Sequence, residues 1–145
     1  MGTSMFRTSL PQDPLSLIAI NRDVFFGVKL RNLAKELGYD LVLVPGATQL
    51  ASALETRHAT TALIIVDMNV LKEEVDWDLV AQILVDYPAV PSLGFGSHVD
   101  VETRRSAKGA GLSRIVSNGE FHMNAAALIQ RYARVDEDLE ETPTA

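Results

Sequence analysis

Cysteine is absent from the 145 residues, so disulfides, thiolate chemistry and cysteine-based metal sites are excluded. Long apolar runs are missing too. Nothing approaches the roughly 20 consecutive apolar residues that a membrane helix needs, and the opening "MGTSMFRTSLPQDP" has no apolar stretch of the signal-peptide type. The expectation is a soluble, cytoplasmic chain without membrane contact. Positive charge is in short supply: 13 lysines and arginines stand against 19 aspartates and glutamates, a formal net charge of −6. That balance argues against nucleic acid as a partner, because phosphate contacts need clustered cations. The histidines, His58, His98 and His122, are scattered, and their spacing shows no convergent metal site. No metal and no cofactor is expected.

What is present is a strict alternation. "LSLIAI" (15–20), "DLVLVP" (40–45), "ALIIVD" (62–67), "VPSLGF" (90–95) and "SRIVS" (113–117) are short apolar runs rich in β-branched residues and read as buried strands. Between them, "VFFGVKLRNLAKELG" spaces Phe26, Leu30, Leu33 and Leu37 by three and four, the stripe of an amphipathic helix, with Asp23 as its N-cap and Gly38 as its stop. "TQLASALETRH", "WDLVAQILVDYP", "VETRRSAKGAG" and "FHMNAAALIQRYAR" have the same character. Ser97 with Asp100, and Ser117 with Glu120, have the spacing of capping boxes at helix starts.

Five strand–helix repeats imply right-handed crossovers, hence an α/β fold of three layers with a parallel sheet between two layers of helices. The length suits one domain. Residues 15–134 carry the pattern; residues 1–14 are expected to be a flexible lead and 135–145, "VDEDLEETPTA", an acidic disordered tail. Sites in such sheets form at the carboxyl ends of the strands. Those ends carry Asn21, Arg22 and Asp23, then Asp67 and Asn69, then Gly96, Ser97 and His98, then Ser117 and Asn118. Asp67 is the residue to explain, because an unpaired carboxylate at the end of an apolar strand is costly unless it sits at the lip of a site.

Taken in order, these features resemble the receiver domain of bacterial response regulators, of the chemotaxis-regulator type, over residues 15–134. "LRNLAKELGYD" resembles that family's first helix and the turn after it, Asp67 falls at the place of its phosphoacceptor, and "AKGAGLSRIVS" is similar to its link into the fifth strand. The resemblance implies a five-stranded parallel sheet of order 2-1-3-4-5 and a role in two-component signal transduction. It also implies an acid pair after the first strand, which with the phosphoacceptor holds magnesium. Asn21 and Arg22 stand there instead: an asparagine is a weak ligand and an arginine none, and Asp23 serves only if the register slips by one. The family's switch hydroxyl falls on Gly96 with Ser97 beside it, its lysine on Asn118, the proline after that lysine on Gly119, and the proline beyond the acceptor on Leu71.

An acceptor kept while its supporting chemistry is changed is the pattern of a degenerate pseudo-receiver. Arg22 then either pairs with Asp67 in place of the metal or cradles an incoming anion. "GFG" either lets the loop turn tightly above the sheet or cradles a ligand. Arg104, Arg105, Lys108 and Arg114 form the one dense basic cluster. The plain reading is a solvated helix face. The resemblance implies instead a docking surface built from helix four, strand five and helix five, open to an acidic protein partner, to a homodimer or to the chain's own tail. The expected function is an interaction module acting by contact, without catalysis and without the standard magnesium-dependent aspartate phosphorylation. The alternatives are a working receiver phosphorylated on Asp67 and a flavodoxin-like binder of a small anionic ligand.

Overall fold

The computed structural model describes residues 14–135. The proposed flexible lead and acidic tail therefore lie outside the described residues, apart from Pro14 and Val135. Five strands, β1 (Ser16–Ile20), β2 (Asp40–Val44), β3 (Thr61–Asp67), β4 (Ser92–Gly96) and β5 (Arg114–Ser117), alternate with five helices: α1 (Val24–Leu37), α2 (Ala47–Arg57), α3 (Glu74–Asp86), α4 (Val101–Ala110) and α5 (Asn118–Tyr132). All strand pairs are parallel and the order is β2-β1-β3-β4-β5. The expected architecture and strand order are both present.

Period-two alternation divides the core. Ile18, Ile20, Ile64 and Val66 point to one face and pack with Leu50 and Leu54 of α2, Trp77, Val80 and Ile83 of α3 and Ala107 of α4. Leu17, Ala19, Leu63, Ile65, Leu93 and Phe95 point to the other, against Phe26 and Leu30 of α1 and Phe121, Leu128 and Ile129 of α5. Each such fully buried leucine or isoleucine contributes about 1.5–3 kcal/mol. The reading of all five strands as buried needs correction for β2 and β5. As the two sheet edges they bury only Val44 and Val116, because each lacks a neighbour on one side.

The helix ends follow the sequence with one exception. Asp23 caps α1, its Oδ1 accepting from Phe25 N at 2.9 Å and Phe26 N at 3.2 Å, and Gly38 ends it at φ 87°. Ser117 caps α5, its Oγ accepting from Glu120 N at 3.0 Å. Ser97, however, does not cap α4. Its hydroxyl accepts from Val99 N, and the cap is Asp100, three residues later, whose carboxylate accepts from Thr103 N and Oγ1 at 3.1 and 2.7 Å.

The glycines of "GFG" are not in a loop. Gly94 and Gly96 lie in β4 on the face toward α2, α3 and α4, where Met68 packs over both positions. A Cβ on Gly94 would meet Leu112 Cδ1 at 2.6 Å and Met68 Sδ at 2.9 Å; one on Gly96 would meet Met68 Cβ at 3.1 Å. Close side-chain packing, not a turn or a cradle, explains both glycines.

Candidate functional site

The carboxyl ends of β1, β3, β4 and β5 converge as expected, and Asp67 ends β3 at 7 % exposure. A short 3-10 turn, Met68–Val70, follows it. Asn69 folds back over the acid: its backbone N–H and its side-chain Nδ2 both donate to Asp67 Oδ1, at 3.0 and 2.7 Å. The same amide group donates to Asn118 Oδ1 at 3.0 Å. One hydrogen-bonded chain, Asp67–Asn69–Asn118, thus spans the ends of β3 and β5. Burial pushes the Asp67 carboxyl above its ordinary range. The two Asn69 bonds oppose that shift, the nearby Asp23 carboxylate adds to it, and His122 works against it.

Asn21 is 9 % exposed and spent locally, its Oδ1 accepting from Asp23 N at 3.2 Å and its Nδ2 donating to Asp23 O at 2.9 Å. Arg22 does not meet Asp67, so the pairing read from the sequence is overturned. Its Nε donates to Pro45 O at 2.9 Å, turning the guanidinium toward the end of β2. The Pro45 carbonyl, left open where the edge strand stops, offers an accessible acceptor, whereas reaching Asp67 means crossing to the far side of β1. Arg22 and Arg31 line an open depression of about 300 Å³ with Val24, Gly27 and Leu43.

Two residues of the region escaped the sequence reading. His122, on the first turns of α5, stands edge-on to Phe26 at 4.8 Å, beside the stacked rings of Phe95 and Phe121, close enough for its charge to act on Asp67. Lys72, in the connector after Asp67, donates to Asp100 Oδ2 at 3.1 Å and so ties that connector to the N-cap of α4. No motif marks either residue, since both partnerships are made only by the fold.

The basic cluster divides. His98, Arg104, Arg105 and Lys108 line a groove of about 490 Å³ between α4 and β5, together with Val101 and Ile115. Arg114 is not among its lining residues. It alternates to the other side of β5, with its guanidinium 5.8 Å from the Tyr132 ring centre, and Arg131 lies 5.4 Å from the same centre. Val99 and Val101 are exposed. A second exposed apolar patch, Val24, Phe25 and Val28, lies at the start of α1.

With the strand order, the helix layers and an acid at the end of β3 in place, the comparison with solved structures is decisive for the fold. A signal receiver domain of an HD domain-containing protein from Pseudomonas fluorescens Pf-5 is 22 % identical with a TM-score of 0.63, over 83 % of this chain and 96 % of that one. This chain has the receiver fold. A second receiver structure, from a sensor histidine kinase of Pseudomonas aeruginosa PAO1, has magnesium coordinated in its cleft; it is 14 % identical with a TM-score of 0.68, over 82 % and 97 % of the two chains. Chemotaxis protein CheY4 of Vibrio cholerae is 14 % identical with a TM-score of 0.66, over 81 % and 98 %. No protein-family model matches the sequence, and no curated protein matches it. Among the described residues no helix is long and apolar enough to cross a membrane.

The strand-end residues leave few side-chain oxygens for a magnesium ion. Among the described residues no group of three or more acids and histidines converges. Asp67 Oδ1 and Asp23 Oδ1 each accept two N–H donors, and the Asn21 amide oxygen is already taken by a backbone N–H. Magnesium demands a near-octahedral oxygen shell, and beyond these engaged atoms the strand ends offer it only the second carboxylate oxygens of Asp67 and Asp23 and backbone carbonyls.

Proposed function

We propose that the chain is a receiver-fold signal-transduction module of the degenerate type, acting by protein contact and not by catalysis, in the bacterial cytoplasm. The observation that carries this reading is the closed chain Asp67–Asn69–Asn118. Phosphoryl transfer depends almost entirely on positioning and charge stabilisation. Here the acceptor's inner oxygen is held by Asn69, a neutral asparagine stands where the resemblance calls for lysine, and Met68 fills the space beside Gly96 where it calls for a hydroxyl. Incubation with acetyl phosphate and magnesium, followed by intact mass, should show no added phosphoryl group. A single addition abolished by Asp67→Asn would establish the phosphoacceptor reading instead.

Recognition then belongs to the α4 groove. Its rim of Arg104, Arg105 and Lys108 around Val101 and Ile115 suits an acidic segment carrying an apolar side chain, with steering that weakens as salt rises. A labelled peptide of glutamates and leucines is expected to bind at low salt and to be lost on Arg104→Glu with Arg105→Glu. Asp67→Ala should leave that binding unchanged. Dependence on Asp67 together with indifference to the charge reversal would overturn the reading.

A further inference from the structure

This inference rests on the α4 groove being the recognition site and concerns what competes for it. The sequence after Val135 runs Asp136, Glu137, Asp138, Leu139, Glu140, Glu141: five carboxylates around one leucine. The groove is the complement, three cations and His98 around Val101 and Ile115. Glu102, exposed on the same helix, is the one acid among the residues of α4. Asp100, just before the helix, is engaged by Lys72.

Reach decides whether complementarity has consequences. Arg134 is pinned at the foot of β3: its backbone N–H donates to Ala62 O at 3.0 Å, its Nε to Thr61 O at 2.9 Å and its Nη2 to His58 O at 2.7 Å. β5 stands two strands away, about 10 Å at roughly 4.8 Å per strand. Extended chain covers about 3.3 Å per residue, so residues 135–141 span up to about 23 Å. That length is enough to pass beneath β4 to the β5 edge and to reach the α4 groove. Arg114 and Arg131 lie nearer the point of departure, but both flank the Tyr132 ring and neither lines the groove.

We infer that residues 136–141 occupy the α4 groove as a built-in competitor, which an acidic partner must displace. A tether this short gives an effective concentration on the order of millimolar. An intrinsic affinity of about 1 mM would therefore mask the groove roughly half of the time, and a tighter one would close it to weak partners.

The test uses the full chain. Wild type is compared with a variant neutralised in place by Asp136→Asn, Glu137→Gln, Asp138→Asn, Glu140→Gln and Glu141→Gln. The probe is a fluorescein-labelled peptide of residues 135–145, read by anisotropy, with circular dichroism checking each fold. The neutralised chain should bind the peptide at least twofold more tightly than wild type at low salt. The gap should close at high salt, and Arg104→Glu with Arg105→Glu should remove binding in both chains. Equal affinity in the two chains, still dependent on Arg104 and Arg105, would leave the groove standing and defeat the competitor. Binding that survives that reversal but is lost on Arg114→Glu with Arg131→Glu would place the segment on α5 and overturn the inference. No binding by either chain would remove both the competitor and the groove's preference for acids.

Discussion

Replacing Gly94 by alanine adds one methyl group where none fits. The new Cβ lies 2.6 Å from Leu112 Cδ1, 2.9 Å from Met68 Sδ and 3.4 Å from Met68 Cγ. Met68 is 1 % exposed and Leu112 8 %, so neither has solvent to move into, and overpacking of this kind costs about 1–3 kcal/mol. Alanine in place of glycine also restricts the unfolded chain, a gain of about 0.4–1 kcal/mol where the backbone tolerates it. The balance is a loss of about 1–2 kcal/mol, or roughly 3–6 °C in Tm for a chain of this size. Gly109 supplies the control. It is exposed within α4 with nothing within 4 Å of an added Cβ, so the same substitution there should gain about 0.5–1 kcal/mol. Urea unfolding followed by the fluorescence of Trp77, the single tryptophan, buried with Nε1 donating to Leu71 O at 2.9 Å, reads both variants. A Gly94→Ala midpoint at or above wild type would refute the steric account, as would a Gly109→Ala variant equally damaged. In a Met68→Ala background the Gly94→Ala penalty should shrink, since part of the clash is gone.

Asp67→Asn keeps an oxygen for the Asn69 donors while removing the buried charge. Because the folded chain raises this pKa, the acid's contribution to stability is full below the unfolded value near 3.8 and is lost as pH rises through the folded value. The asparagine variant should therefore be the more stable at pH 7, with the difference vanishing in acid. Urea midpoints across that range check it, and a difference that grows as pH falls would sink it. Asp100 has the opposite sign: bonds from Thr103, then from Lys72, hold its carboxyl below the ordinary range. Its stabilisation of α4 is present at neutral pH and lost as pH falls through the folded value. Asp100→Ala should accelerate amide exchange in the first turn of α4 at pH 7, with wild type converging on the variant in acid; equal exchange at pH 7 would show that the cap is idle.

The fold was legible because its signals are local and repeated. β1, β3 and β4 are apolar on both faces, as strands between two helical layers must be, and Asp23 and Gly38 announce the limits of α1. The edges were less so: in β2, Leu41 and Leu43 still pack toward α1, which keeps the run apolar although it is half-exposed. At the site, the substituted residue types were visible but their partners were not. Arg22 finds its acceptor 23 residues away, and Asn69 meets Asn118 across 49. Two signals were available and unread. An aspartate at a strand end suits the local turn that the Asp67 side chain makes with the backbone N–H of Asn69, and two glycines separated by one residue in a strand share a face, which marks a close approach there.

The residues at the strand ends form a consistent set. Asn21 bonds the backbone of Asp23, Asn118 accepts from Asn69, and Met68 packs over Gly94 and Gly96. Among the described residues no buried side-chain polar atom lacks a partner. Orphaned donors or acceptors there would each cost about 1–3 kcal/mol; instead Asn21, Asn69 and Asn118 each have a partner. Introducing a charged residue there would therefore break an existing bond before making a new one. A lysine at position 118 takes away the acceptor of Asn69, and a hydroxyl at position 96 displaces Met68 from the core. The chain Asp67–Asn69–Asn118 joins the β3 and β5 ends, and the Lys72–Asp100 pair ties the connector after β3 to the start of α4, beside the groove. As an exposed ion pair it contributes little to stability.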